Sequence, residues 1–224
     1  MDLKAEKYLR RYAALPARPL VVSSTEGIEQ AVVIPALAES ASLFRTLASL
    51  AGNPVQDLRR TLVICVVNNH RPHIASEEEI RDNQETLRLL SALVFGEKTT
   101  LTDDDGLREE LRSITRSGLR LAFIDASTPG SEIPDCDGGV GTARKIGMDS
   151  ALGLIARAGI EGGVICCLDA DTLVSGNYLS AVRDHFLRTG CPAAVAAYAH
   201  QMPDDPGLLA AICCYEIFLR SYVM

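Results

Sequence analysis

The chain has 224 residues, 47% hydrophobic and 23% charged, with a formal net charge of −7. That is enough apolar residue for a substantial core in one large domain or two small ones. The acidic balance, with no Lys/Arg-rich run, argues against a nucleic-acid partner, because phosphate-backbone binding needs a basic surface.

Residues 2–14 read as a short charged helix closed by Pro16 and Pro19. Ala31–Pro35 is a brief apolar run of the kind that forms a buried strand. A helix over 40–51 is closed by Gly52-Asn53-Pro54, and Leu62–Val67 is a second buried strand ending in Asn68-Asn69-His70. Residues 76–95 form a long charged helix with a solvated face. Thr99–Gly106 is a polar loop, followed by a helix over 107–116 and a strand over Leu119–Ile124. After a Pro/Gly/Asp-rich loop at 125–139, the spacing of Ile146, Met148, Ala151, Leu152 and Ile155 predicts a helix over Val140–Ala158. Val164–Leu168 is a third apolar strand, Asn177–Arg188 a helix, Ala193–Tyr198 a further strand, and 203–207 a turn. Leu208–Val223 is a closing helix. Continuous apolar strands alternating with helices predict an α/β fold, with a mostly parallel sheet covered on both faces.

No apolar run reaches the roughly 18 residues of a membrane span, and the charged first 15 residues lack the apolar core of a signal peptide. The seven cysteines are odd in number and contain no C-x-x-C pair, so they read as reduced, buried small hydrophobes. That fits an expected cytoplasmic location. His70, His73, His185 and His200 show no metal-ligand spacing.

In a parallel sheet the ligand lies beyond the C-terminal strand ends. Here those ends carry Pro35–Glu39, Asn68–Arg71, Asp125 and Asp169-Ala170-Asp171. Asp169 and Asp171 are two apart in extended chain and project to one side, so they suit a hard cation such as Mn²⁺ or Mg²⁺. The segment Gly138–Lys145 opens a helix with glycines that let backbone N–H groups approach an anion, and Arg144 and Lys145 add positive charge.

Taken together, Val32–Glu39, Gly139–Arg144 and Cys167–Asp171 resemble family 2 glycosyltransferases of the Rossmann-like GT-A fold, within the nucleotide-diphospho-sugar transferase superfamily. The resemblance covers residues 30–200. It implies an N-terminal helix and lead-in over 1–29 and a nucleotide-sugar-binding domain over 30–224. By the same resemblance Pro35, Ala36 and Glu39 line the nucleotide pocket and Asn68 reaches the base. Arg144 lies near the diphosphate, Asp169 meets the ribose or donor sugar, and Asp171, with Asp169, holds the metal. Ala38 stands where the family often has Asn, and Asn68-Asn69 where it often has Asp. The implied activity moves a sugar from a UDP- or GDP-type donor to an acceptor hydroxyl. Asp204, Asp205 and Glu216 are the acidic residues after Asp184, so they are the candidates for the base, and each also reads as plain surface charge.

The family's acceptor region normally follows the D-x-D by more than the 53 residues present here, so the domain reads as C-terminally truncated or as a short variant. The closing helix carries only Glu216 and Arg220 as charges. It is expected to be covered by a second copy, as a homodimer, or by further chain. Three rival readings differ in class. Leu168–Leu173 fits the D-x-D-x-T of haloacid-dehalogenase-like phosphatases, with Asp169 as nucleophile. A sugar-phosphate nucleotidyltransferase shares the fold class. A non-catalytic nucleotide-binding module needs no acceptor half.

Overall fold

The computed structural model describes residues 3–14, 18–69, 74–97, 103–134 and 139–223. In chain order the helices and strands are α1 (Leu3–Tyr12), β1 (Val21–Val22), β2 (Gln30–Ala36), α2 (Ser40–Ala51), α3 (Val55–Arg60), β3 (Thr61–Asn68), α4 (Glu77–Phe95), α5 (Asp105–Ser117), β4 (Arg120–Ala126), α6 (Val140–Ala158), β5 (Val164–Cys167), α7 (Tyr178–Thr189) and α8 (Pro206–Val223). The chain divides into two compact units, 1–189 and 190–224.

The first unit is an α/β layer structure. Its sheet runs β1-β4-β3-β2-β5, with β4, β3, β2 and β5 parallel and the two-residue β1 antiparallel at the edge. The period-two alternation of strand side chains divides the core cleanly. Val32, Ile34, Val63, Cys65, Leu121 and Cys166 face one apolar cluster with α2, α4, α5 and Leu179 of α7. Ala31, Val33, Leu62, Ile64, Val66, Ala122 and Ile124 face the other, against Ala143, Ile146 and Ala151 of α6. Both faces are covered, which is why β2 and β3 are buried at every position.

Helix α6 lies very close to the sheet. A Cβ at Gly147 would clash with the Val33 and Val66 side chains, so only glycine permits this approach. Helix α1 packs on the outside of α6. The Ala14 N–H donates to Asp149 Oδ2 at 2.8 Å, and Lys145 Nζ reaches Asp149 Oδ2 at 2.6 Å.

The second unit holds α8 and the segment before it. The strand expected over Ala193–Tyr198 does not form; those residues are exposed and belong to neither helix nor strand. An apolar run becomes a strand only with a neighbour to complete its hydrogen-bond ladder, and no such pairing exists among the described residues. Two elements were not expected from the sequence: β1, too short to show alternation, and α3, which fills the link after Pro54. Pro16, His70, Arg71, His73, residues 98–102, Cys136 and Gly138 lie outside the described residues.

The reading of the cysteines as buried needs correction. Cys65 and Cys166 are buried, but Cys167, Cys213 and Cys214 are exposed and Cys191 is intermediate. Strand β5 is an edge strand with one outward face near its end, and α8 is exposed along most of its length. Among the described residues no helix is long and apolar enough to cross a membrane.

Candidate functional site

The chain leaves β2, moves through β3 and β4 on one side, and returns to place β5 on the other side of β2. The strand order therefore reverses between β2 and β5, and open parallel sheets bind ligands in the crevice beyond such a point. A cavity of about 250 Å³ lies there, lined by Pro35, Glu39, Val140, Arg144, Asp169, Ala170 and Asp171. Its walls come from the end of β2, the first turns of α6 and the loop after β5.

The loop after β5 is held by α2. Leu168 N–H donates to Val33 O at 3.0 Å and prolongs the β2–β5 ladder. Thr46 Oγ1 donates to Ala170 O at 2.8 Å in a buried contact. Farther on, Val174 N–H donates to Ser49 Oγ at 3.1 Å and Leu179 N–H to Asn53 Oδ1 at 3.0 Å. Ala170 is 1% exposed while Asp169 and Asp171 on either side are open. The buried Ala170 anchors the turn and leaves both carboxylates outside.

Asp169 forms an ion pair with Arg144 from the second turn of α6. The N-cap residue of α6, Gly139, supplies no side-chain cap, and the first turn of the helix carries no acidic residue. Gly139 begins it at φ 124°, a backbone region that favours glycine. The N-terminal end of α6 and Arg144 together give the cavity an anion-attracting side.

The remaining charges of the cavity are the carboxylates of Glu39, Asp169 and Asp171. Burial pushes the Glu39 carboxyl above its ordinary range, partly offset by the Leu37 N–H, and the charges of Asp171, Asp169 and Asp82 push it further up. The donor set is all oxygen, as hard cations prefer. Among the described residues no group of three or more His, Cys, Asp or Glu is arranged to hold a metal ion. A Mg²⁺-type ion commonly takes only one or two carboxylates and fills its other positions with water and phosphate oxygens, so Asp171 and Asp169 fit that mode.

A hydrogen-bonded amide network joins the ends of β2, β3 and β4. Ala38 sits at φ 52°, in the left-handed region uncommon for a residue with a Cβ. Its N–H donates to Asn83 Oδ1 at 2.9 Å. Asn83 Nδ2 donates to Asn68 O at 3.1 Å and also to Asn69 Oδ1, while Asn69 Nδ2 donates to Ser127 O at 2.7 Å. Asp82 receives the Ser40 hydroxyl at 2.5 Å and the Ser40 N–H at 3.2 Å. Burial raises the Asp125 carboxyl, but hydrogen bonds from Thr128 and Ser127 outweigh it and hold the group below its usual value. Asp125 thus closes its own turn.

Of the residues singled out in the sequence, Pro35, Glu39, Arg144, Asp169 and Asp171 share the cavity. Ala36 is 2% exposed and packs in the core. Asn68 is 1% exposed, and its Nδ2 has no hydrogen-bond partner among the described residues. Asp204, Asp205 and Glu216 belong to the second unit. Asp205 Oδ1 accepts the Leu208 N–H at 2.8 Å and caps α8. Glu216 accepts from the His200 N–H and Arg220 Nε and faces His200 Nδ1; these contacts hold its carboxyl down at about 2 and make it a poor proton acceptor. The sequence reading missed Asn83, Asp82 and Thr46. Asn83 and Thr86 fall on the buried stripe of α4 with Leu90, and Thr46 on that of α2 with Leu43 and Leu50. A polar residue at such a position is the signal that points to a built network.

Neither models of known protein families, nor curated proteins, nor solved structures show a significant match to this chain.

Proposed function

We propose that the first unit is a GT-A-type nucleotide-sugar-binding fold and that the chain serves glycosyl transfer from a UDP- or GDP-type donor. The observation that carries this reading is the convergence at the strand-order reversal. Three sequence segments, from the ends of β2 and β5 and the start of α6, line one cavity that holds both Arg144 and the carboxylates of Glu39, Asp169 and Asp171. A diphosphate with a divalent cation complements such a set of charges, because the cation meets the carboxylates while Arg144 and the α6 N-terminus meet phosphate oxygens. Bound Mn²⁺ or Mg²⁺ would supply neutralisation of the charge on a departing nucleoside diphosphate. Asp171 and Asp169 would hold it. Arg144, now paired with Asp169, would turn to the diphosphate. Glu39, whose ionisation is disfavoured by burial and then by its acidic neighbours, would gain from a cation beside it.

The test is thermal stabilisation by UDP and GDP with and without Mn²⁺. At ligand near 100 times Kd the gain is about 2.7 kcal/mol. Asp171→Asn should keep the fold, because Asp171 is exposed, and should abolish the metal-dependent part of the gain. Absence of any nucleotide-dependent shift in the folded parent chain would refute the donor site.

A further inference from the structure

Helix α1 is basic on an acidic chain. Lys4, Lys7, Arg10 and Arg11 against Glu6 give it +3 (4 − 1), while the whole chain is −7. Its inner side is fixed: Ala5 is buried, Leu9 and Ala13 line a groove against α6, and Lys145 Nζ meets Tyr8 OH at 3.4 Å. Helical spacing puts Leu3, Lys7, Arg10 and Arg11 on the side away from that groove, and all four are exposed, Leu3 at 80%. Lys7, Arg10 and Arg11 have no carboxylate partner among the described residues. Elsewhere in the first unit arginines are commonly paired, as Arg183 is with Asp57 and Arg88 with Glu85. Tyr8 and Tyr12 stack together on the side towards α6, 39% and 54% exposed.

We propose that the outward face of α1 docks on an anionic lipid bilayer, with Lys7, Arg10 and Arg11 meeting the headgroups and Leu3 entering the interfacial layer. Two observations select a bilayer over a nucleic acid. An exposed leucine beside the cations has nothing to gain from a phosphodiester backbone, but it does gain from the headgroup–acyl boundary. The tyrosines are poorly placed to stack on bases, because Lys145 lies over the Tyr8 ring and Arg11 over the Tyr12 ring, and the two rings lean on each other at 5.7 Å. A ten-residue helix is a small anchor, so the contact is peripheral and reversible. The proposal does not depend on the donor site.

Co-sedimentation of the full chain with phosphatidylcholine vesicles containing about 30% phosphatidylserine, against pure phosphatidylcholine, tests it. Binding is expected only to the anionic vesicles and should fall steeply with salt. The triple variant Lys7→Gln, Arg10→Gln, Arg11→Gln should lose about fivefold per cation, roughly 100-fold in all. Its melting temperature should not change, since Ala5 and Leu9 remain. Leu3→Ser should weaken binding without altering its salt dependence. The proposal is overturned if the folded parent ignores anionic vesicles, if the triple variant binds them as well as the parent, or if a short DNA duplex binds more tightly than the vesicles and strips the chain from them.

Discussion

The two units of the chain are both rich in apolar residues and use them in opposite ways. In the first, Leu43, Phe44, Leu47 and Leu50 of α2 are fully buried against the sheet. In the second, Leu208, Leu209, Tyr215, Ile217 and Phe218 of α8 stand 37–68% exposed, and the buried residue among those described in that helix is a glutamate, Glu216. Hydrophobicity alone therefore does not make a core. The α2 residues recur on one stripe and meet a sheet; those of α8 are spread around the helix, and no one surface within its own unit covers them.

The largest expected effect breaks this contrast most directly. Leu47→Ala should cost about 2–5 kcal/mol in a urea titration, because it opens a cavity in a packed layer. Phe218→Ala removes a bigger side chain, yet should cost much less, because Phe218 is 58% exposed. Equal losses would mean that α8 is buried in solution. A self-association that vanishes with Phe218→Ala would identify a second copy of the chain as the cover.

A smaller effect separates stability from function inside the first unit. Asn83→Ala deprives the Ala38 N–H and the Asn68 carbonyl of their partners, at a cost of about 1–3 kcal/mol. It should also weaken nucleotide-dependent stabilisation, because Ala38 in its left-handed conformation sets the direction of Glu39. Adding Ala38→Gly, which relieves the need for that support, should recover part of the binding. Full nucleotide affinity in Asn83→Ala would make the network purely structural.

The sequence was most legible where one local pattern decides the outcome. The α6 limits, Val140 to Ala158, and the α2 limits, Ser40 to Ala51, follow from periodicity and from the Gly52-Asn53 stop. The buried runs of β2 and β3 needed no partner to be recognised. The strand order was not legible, because no residue in β5 announces that it pairs with β2 rather than β4. The placement of Glu39, Arg144 and Asp169 around one cavity depends on that order. For Ala193–Tyr198 local pattern misled, since apolar content without a ladder partner gives no strand. Asn83 was hidden in a helix read as a solvated charged face.

The smallest expected effect lies in the second unit, where polar contacts stand in for a core. Glu216 Oε1 accepts the His200 N–H and faces His200 Nδ1, both at 2.7 Å, and the His200 ring packs edge-on against Tyr198 and Tyr215. These bonds hold the Glu216 carboxyl at about 2, below its ordinary 4.5. A carboxyl depressed on folding contributes stability that is present above its unfolded value and lost as pH falls through its folded value. The clasp between His200 and α8 should therefore persist at pH 5 and weaken progressively between about 4.5 and about 2. The His200 backbone amide resonance should follow that low titration in a pH series by NMR. In Glu216→Gln the same resonance should be shifted at neutral pH and insensitive to acid in that window. An amide that titrates with a midpoint near 4.5 in the parent would show that the clasp does not form in solution.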